Sequence, residues 1–511
     1  MGIFQINANG PTVPLQPYWN FCVGSCHAAT ALREDYRQQM RRCRNELGFR
    51  YVRFHGLFND DMSVLRKTHL RGSNEEVYVV SFTNIDSVFD FLLSINMRPF
   101  VEIGFMPGCL RSKDTTVFHY KGFISKPSDY GTWDWLIETF ITHLEERYGI
   151  DEVRQWFFEV WNEPNLGGPD RDDGFWSHSM EDYFELYEHT ARAIKKVDAR
   201  LKVGGPATSN NAWIPEFTGF CRENDVPVDF VSTHHYPTDV ILGYGVEDSH
   251  NFFTPKEGET EEEFEERRKD WDKLLWSHVD RGVLTKMTRK AVDEAQGLPV
   301  YYTEWNGWAY EQSDGPFGSS FVLKTIMDSV DLVEGYSFWT FSDLFEEGGM
   351  PSKEFHSGFG LLTLHGIPKA NYRAYQLLNR LGDKKYEACY KNGTVDGYAV
   401  RKDASHSLQV LLVNHQSLEH PIVEETVTVQ IEGLTGGEKA QIIRIDENHG
   451  NAYGYWKAMG QPEYMSREEL CALEGASAIR SEPVALENVE KGVCFDVTLP
   501  PMGAALVTIF R

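Results

Sequence analysis

Strand-like and helix-like segments alternate eight times over roughly 350 residues of this chain. The strand-like segments are short apolar runs rich in aromatic and β-branched residues, and apolar residues recur at three- and four-residue steps between them. This alternation predicts an α/β fold, a (β/α)8 barrel, with 371–381 as its closing helix. The predicted strands are 21–25, 51–56, 98–105, 155–163, 201–206, 228–236, 298–306 and 335–343.

Beyond about residue 382 the apolar pattern changes to a period of two, which is typical of half-buried strands. Five such segments follow, some separated by turn residues such as Asn392-Gly393. Residues 3–7 alternate in the same way and are candidates to pair with them. We therefore expect a barrel domain of residues 15–382 and an all-β, sandwich-like accessory domain formed by residues 1–14 and 383–511.

Polar side chains collect at the carboxyl ends of the predicted barrel strands. That face carries the chemistry of such barrels, because the loops that follow the strands meet there. These side chains are Arg53 and His55 on the second strand, Asn162 and Glu163 on the fourth, His234 and Tyr236 on the sixth, Glu304 on the seventh and Trp339 on the eighth.

Two of these residues, Glu163 and Glu304, are carboxylates at the ends of apolar runs. Taken singly, each is most simply a salt-bridging residue at a strand end. As a pair at one barrel mouth they match the need of glycosidic-bond cleavage for a proton donor and a nucleophile. Pro164 ends the fourth strand, and Asn162 places an amide beside the acid. The pair therefore favours a glycosidase.

The amino-acid composition limits the kinds of substrate and partner that this chain can bind. With 76 acidic and 50 basic residues, the formal net charge is −26. This charge argues against nucleic acid, an anionic membrane or a polyanionic substrate and favours a neutral glycoside or oligosaccharide. No run of about 18 apolar residues predicts a membrane span. The first ten residues lack a basic segment and a sustained apolar stretch, so we expect a cytoplasmic protein, although a leader removed ahead of Met1 would leave the same sequence.

The eight cysteines are scattered, and only Cys22 and Cys26 lie close together, followed by His27. A metal site there would need two further ligands from elsewhere in the chain. We expect buried free thiols instead.

Several segments together resemble glycoside hydrolase family 39, in particular its β-xylosidases, within a large clan of barrel enzymes that carry catalytic carboxylates on strands four and seven. The element Asn162-Glu163-Pro164 marks the clan alone, whereas the combination is specific to the family, and the resemblance runs nearly end to end. The segments that carry it are 22–25, 51–56, 158–166, 203–206, 227–232, 338–343 with 345–347, and 445–449 with 451–453.

The resemblance implies a retaining exo-glycosidase, a β-D-xylosidase acting on xylo-oligosaccharides, that needs no metal or organic cofactor and is compatible with a homo-oligomer. Glu163 would be the acid/base, Glu304 the nucleophile, and Asn162 the partner of the sugar 2-hydroxyl. Arg53, His234 and Tyr236 are the available hydrogen-bond donors to Glu304. The subsite for the non-reducing sugar would be lined by His55, His234, Tyr236, Trp339, Glu346 and Glu347.

Two segments depart from the family pattern. Cys26 stands where the family often has glycine, and the loop of residues 167–174 is longer than in typical β-xylosidases. Other activities therefore stay open, an α-L-arabinosidase first. An α-L-iduronidase is disfavoured because Glu346 and Glu347 stand where a uronate would want a basic clamp. A catalytically silent carbohydrate-binding barrel is the alternative outside the enzymes.

Overall fold

Eight parallel strands close into a barrel in the computed structural model, which describes residues 2–171, 173–239, 255–256, 258–308 and 310–510. Each strand pairs with the next along the chain, and the eighth pairs with the first through Phe338 and Val23. The (β/α)8 prediction is confirmed. The strands are Cys22–His27, Tyr51–His55, Arg98–Ile103, Phe157–Val160, Lys202–Thr208, Phe230–His235, Val300–Trp305 and Gly335–Phe338.

Helices separate the strands and pack their apolar faces on the outside of the barrel. Met180–Val197 shows the local reason: Ser179 and Asp182 form a capping box at its start, and Tyr183, Tyr187 and Ile194 recur on its buried face. The predicted closing helix is present as Ala370–Arg380. The other long helices of the barrel are Glu34–Leu47, Thr83–Ser94, Tyr130–Tyr148, Ile214–Glu223, Glu261–His278, Val283–Glu294 and Pro316–Asp328, and Ile150–Val153 is a single turn. Among the described helices, none is both long and apolar enough to cross a lipid bilayer.

Aromatic rings fill the amino-terminal end of the barrel. Phe100 stacks on Phe157 with ring centroids 5.1 Å apart, and Phe21, Phe230 and Tyr301 complete the cluster. Rings of this size bury large apolar areas and exclude water. The polar side chains of the barrel therefore gather at the opposite, carboxyl-terminal end.

Two further sheets follow the barrel. A four-stranded sheet contains Gly2–Asn7, Glu425–Glu432, Gly492–Leu499 and Glu487–Val489, and a seven-stranded sheet contains Thr12–Pro14, Lys384–Asn392, Val395–Lys402, Ser407–Asn414, Ala504–Phe510, Lys439–Ile445 and Ser481–Val484. The first strand of the chain pairs in parallel with Glu425–Glu432, as its alternating pattern predicts. The predicted turn after Lys384–Asn392 joins a hairpin, but it lies one residue later than expected, at Gly393-Thr394, because Asn392 still pairs with Val395. The helices Ala452–Ala458 and Arg467–Ser477, which the sequence patterns did not predict, lie between two of these strands.

The seven-stranded sheet has two apolar faces. Tyr398, Val400 and Leu411 belong to the core of the barrel, whereas Val410 and Leu412 belong to a second core that includes residues of the four-stranded sheet. Side chains of neighbouring residues point to opposite sides of a strand, which is why one strand serves both cores. The division into domains of 15–382 and of 1–14 with 383–511 stays a prediction.

Two details differ from the predictions. The fourth strand ends at Val160, the sixth at His235 and the eighth at Phe338, so the loops that follow contain Asn162, Glu163, Tyr236 and Trp339. The expectation of buried thiols is right for Cys22, Cys26, Cys43 and Cys221 but wrong for Cys389 and Cys471, which are exposed.

Candidate active site

Glu163 is presented by a tight turn just beyond the fourth strand. Trp161 and Glu163 have φ angles of 74° and 43°, a left-handed conformation that is uncommon for residues other than glycine. Backbone bonds to neighbouring strands hold the turn, because Trp161 N donates to Ile103 O and Glu163 N donates to Ala207 O. Such backbone strain costs on the order of 1–3 kcal/mol per residue and concentrates at functional sites.

Arg53 is the buried hub of the site. Its Nη1 donates to Glu304 at 2.6 Å, and its Nε donates to Glu159 at 2.5 Å. Its Nη2 lies 2.9 Å from Asn162 Oδ1 and 3.0 Å from Glu102 Oε2. Since the amide oxygen of Asn162 faces Arg53, its amide NH2 group is turned away from the guanidinium.

Glu304 accepts hydrogen bonds from two of the three predicted donors. Arg53 donates to one carboxylate oxygen, and the Tyr236 hydroxyl donates to the other at 3.0 Å. The third, His234, is a different case: its Nδ1 lies 3.0 Å from Glu163 Oε1 and 3.6 Å from Glu304 Oε2. The hydrogen-bond partner of His234 is therefore Glu163, and the prediction that it donates to Glu304 is wrong.

The hydrogen bonds around His234 show where the proton lies. The Thr303 hydroxyl donates to Glu159 at 2.8 Å, so its oxygen accepts the Nε2–H of His234 at 3.1 Å. Burial and the nearby Arg53 charge hold the pKa of His234 well below its ordinary value, so the ring is neutral and Nδ1 carries a lone pair. A hydrogen bond between Nδ1 and Glu163 then requires that Glu163 be protonated.

The two carboxyl groups of the site differ in their electrostatics. Burial and the charge of Glu304 raise the pKa of Glu163 well above the usual range. Burial also raises the pKa of Glu304, but Arg53, His55 and Tyr236 oppose that shift. Glu304 is therefore the first of the pair to ionise. One oxygen of each carboxyl and a nitrogen of His234 lie within 4.8 Å of one another.

The side chains of His55 and Trp339 pack together beside Glu304. Their rings lie 4.6 Å apart, and Trp339 is buried against the strand-one backbone at Gly24, where a Cβ atom would approach the indole to 2.5 Å. Nδ1 of His55 lies 2.7 Å from Glu102 Oε2, and Nε2 lies 3.7 Å from Glu304 and 3.8 Å from Glu347. Burial lowers the pKa of His55 to about 3, so the ring is neutral.

Glu346 and Glu347 are adjacent in sequence but have different surroundings. The Glu347 carboxylate is near His55, and burial with the charges of Glu304 and Glu102 raises its pKa well above the usual range. The Glu346 carboxylate instead lies 3.4 Å from His27, which lowers its pKa. Glu347 joins the predicted site, whereas Glu346 faces His27.

Three residues of the site escaped the sequence predictions. Glu102, Glu159 and Thr303 are fully buried within barrel strands and hold Arg53, His55 and His234 in place. A charged residue inside an apolar strand is the signal that was available. Such a residue is expensive to bury unless it is paired, so its presence indicates a buried polar network.

A barrel whose mouth holds two carboxyl groups this close, one on strand seven and one just beyond strand four, is the arrangement of a glycoside hydrolase. The chain belongs to glycosyl hydrolases family 39, whose model matches residues 3–268 and 272–489.

Relatives cover almost the whole chain. It is 44% identical over 502 residues to a beta-xylosidase of Caldicellulosiruptor saccharolyticus, covering 97% of this chain and 96% of that one. It is 36% identical over 483 residues to a beta-xylosidase of Geobacillus stearothermophilus, covering 93% and 89% of the two chains. A monomeric beta-xylosidase from Caulobacter crescentus superposes over both full chains with a TM-score of 0.82 at 29% identity.

Proposed function

We propose that this glycosidase is a β-D-xylosidase that removes xylose from the non-reducing ends of xylo-oligosaccharides with retention of configuration. The observation that carries the mechanism is the separation of the two carboxyl groups. One oxygen of Glu163 and one oxygen of Glu304 lie no more than 4.8 Å apart. Retaining glycosidases have carboxyl groups about 5–5.5 Å apart, whereas inverting enzymes need about 6.5–9.5 Å to seat a water molecule.

Glu163 acts as the general acid in this proposal. Its raised pKa and its hydrogen bond to the lone pair of His234 keep a proton on the carboxyl group before substrate binds. The proton passes to the glycosidic oxygen as the bond to the aglycone breaks. Glu163 then takes a proton from water in the second step, because the same group serves as base when the intermediate is hydrolysed.

Glu304 acts as the nucleophile. Arg53 and Tyr236 each donate to one of its oxygens, which stabilises the carboxylate and fixes its orientation. The amide NH2 of Asn162, directed away from Arg53, is available to the sugar 2-hydroxyl. That contact strengthens as positive charge develops on the sugar ring.

A neutral pentose is the substrate class that the site favours. The relatives that are 44% and 36% identical to this chain are both beta-xylosidases. The guanidinium of Arg53 is already engaged by three carboxylates and an amide, so it does not serve as a clamp for a uronate. His55, His234, Tyr236, Trp339 and Glu347 are proposed to contact the sugar; Glu346 acts through its neighbour. The homo-oligomer stays a prediction.

A panel of aryl glycosides tests the substrate. The p-nitrophenyl β-D-xyloside should have the highest kcat/KM, ahead of the α-L-arabinosides and far ahead of the α-L-iduronide. Proton NMR of the first-formed sugar should show the β anomer. A higher kcat/KM for an arabinoside would show that arabinose, not xylose, is the preferred glycone. A first-formed α-xylose would exclude retention of configuration.

Azide rescue tests the two roles separately. In Glu163→Ala an activated aryl xyloside still forms the glycosyl-enzyme, which accumulates because no base activates water. Azide needs no base and should release the β-azide. In Glu304→Ala azide should attack directly from the vacated side and give the α-azide. Swapped anomers would reverse the assignment, and rescue of neither variant would exclude the two-carboxylate mechanism.

A further inference from the structure

A buried histidine outside the carboxylate pair connects several of the loops at the barrel mouth. His27 ends the first strand and is 1% exposed. Its Nε2 lies 2.6 Å from Asp61 Oδ2, in the segment after strand two, and its Nδ1 lies 3.4 Å from Glu346 Oε2, in the loop after strand eight. Its ring stacks on Tyr120 with centroids 3.8 Å apart and planes at 2°.

We infer that His27 is a positioning residue of the sugar subsite. As an imidazolium bound to Asp61 and stacked on Tyr120, it holds Glu346 in place and thereby directs the neighbouring Glu347 toward the substrate. This inference deepens the proposed function and rests on it. Glu346 opens a tight turn, because the N–H of Gly349 donates to the Glu346 carbonyl at 3.1 Å. Fixing the side chain of residue 346 therefore fixes the start of this turn, from which the side chain of Glu347 extends.

Backbone contacts tie the same loop at two more points. The N–H of Glu346 donates to the Cys26 thiol sulfur at 3.2 Å, and the carbonyl of Glu347 accepts the N–H of His119 at 2.8 Å. Cys26, which stands where the family often has glycine, therefore contacts the loop that contains Glu346 and Glu347. With these bonds made, the Glu347 carboxylate lies 3.8 Å from Nε2 of His55.

The charges around His27 favour its protonated form. Burial acts to lower its pKa, but hydrogen bonds to Asp61 and Glu346 outweigh burial and raise it. The Thr30 hydroxyl, 3.4 Å from Nδ1, adds no charge. Arg33, which acts on Glu346, and His55, which His27 influences, are the other titratable groups nearby.

The pH dependence follows from the direction of this shift. Below the raised pKa both nitrogens of His27 carry a proton, so Nε2 donates to Asp61 and the protonated Nδ1 forms an ion pair with Glu346 at 3.4 Å. As pH rises through that pKa, the neutral ring keeps a single N–H and one of the two contacts is lost. The shorter contact, with Asp61, is the one that is kept, so Glu346 loses its contact with His27. Binding of the sugar then weakens, while the chemistry at Glu163 and Glu304 is unchanged.

The test compares His27→Gln with wild type on the aryl β-D-xyloside and measures the inhibition constant of D-xylose. Both KM and that constant should rise about tenfold, with kcat changed by less than about threefold, because the loss lies in sugar binding. The alkaline rise of the inhibition constant that is expected for wild type should be absent in this variant. His27→Arg, whose planar cation stacks on aromatic rings and stays charged, should restore binding and abolish the alkaline rise.

Two further variants complete the experiment. Glu346→Gln should show the same loss of binding as His27→Gln, and the double variant should be no worse than either single one. His449→Gln, which breaks a 2.7 Å contact with Asp446 just beyond the strand Lys439–Ile445, should leave all constants unchanged. A wild type that does not hydrolyse the xyloside would overturn the proposed function. Hydrolysis with unchanged sugar binding in His27→Gln, or additive losses in the double variant, would overturn this inference.

Discussion

Tyr236→Phe should move the acid limb of the pH–rate profile to higher pH. The Tyr236 hydroxyl donates to Glu304 Oε2 at 3.0 Å and so stabilises the carboxylate form. This hydrogen bond lowers the pKa of Glu304 against the effect of burial. Removing the donor therefore raises that pKa, and the nucleophile ionises only at higher pH.

The magnitude follows from the hydrogen bond that is lost. A hydrogen bond to a charged group contributes about 1.5–3 kcal/mol. Because about 1.4 kcal/mol corresponds to one pKa unit, the full range is roughly 1–2 units. Tyr236 keeps some exposure, so water replaces part of the interaction and we expect a shift of about one unit. Arg53, which remains bonded to Glu304, limits the change.

The assay is kcat/KM for an aryl β-D-xyloside across the acid range, because this quantity reports the pKa values of the free enzyme. Tyr336→Phe is the matched control: it deletes a buried phenol that pairs with Thr288 in the helix layer. The control should keep the wild-type limb. An acid limb that stays in place in Tyr236→Phe would refute the view that this hydroxyl stabilises an ionised nucleophile.

Three other variants test separate parts of the site. Glu163→Gln should lose the alkaline limb for a substrate with a good leaving group, since no acid remains to be deprotonated; a surviving limb in the same pH titration would assign the acid elsewhere. Glu347→Ala should lower kcat/KM for the xyloside by about tenfold or more without changing the thermal midpoint; unaltered kinetics would return this residue to a surface role. Arg53→Met should lower the free energy of unfolding by about 3–5 kcal/mol in urea titrations, because three buried carboxylates lose their cation; wild-type stability would show that they are neutralised by other means.

The barrel and the position of its two carboxylates could be predicted, because both follow from patterns of residues that lie close together in the sequence. Apolar periodicity reports strands and helices, and barrel topology then brings the ends of strands four and seven together. Strand ends were less predictable. The apolar run 155–163 continues past Val160, but the left-handed turn at Trp161 depends on bonds to Ile103 and Ala207 on neighbouring strands.

Side-chain direction was the least predictable property of the site. Glu346 and Glu347 look alike in the sequence, and they are distinguished only by contacts with distant residues: Glu346 contacts His27, whereas Glu347 lies near His55 in the site. His234 likewise looks like a donor to either carboxylate. Its actual partner depends on two successive hydrogen bonds, from His234 to Thr303 and from Thr303 to Glu159, and the last two residues lie on two other strands. Such networks are three-dimensional, and periodicity along the chain carries no information about them.

The parallel pairing of Gly2–Asn7 with Glu425–Glu432 has a consequence for the order in which the protein is completed on the ribosome. Gln5 is made before its partner Gln430, which follows 425 residues later. At about 5–20 residues per second, the first strand waits roughly 20–85 s for its place in the sheet. Throughout that time Phe4 and Ile6, which end up buried, remain without their final partners. The strand Gly2–Asn7 is therefore synthesised early but packed late, and the nascent chain must keep this short hydrophobic strand from pairing with other chains in the meantime.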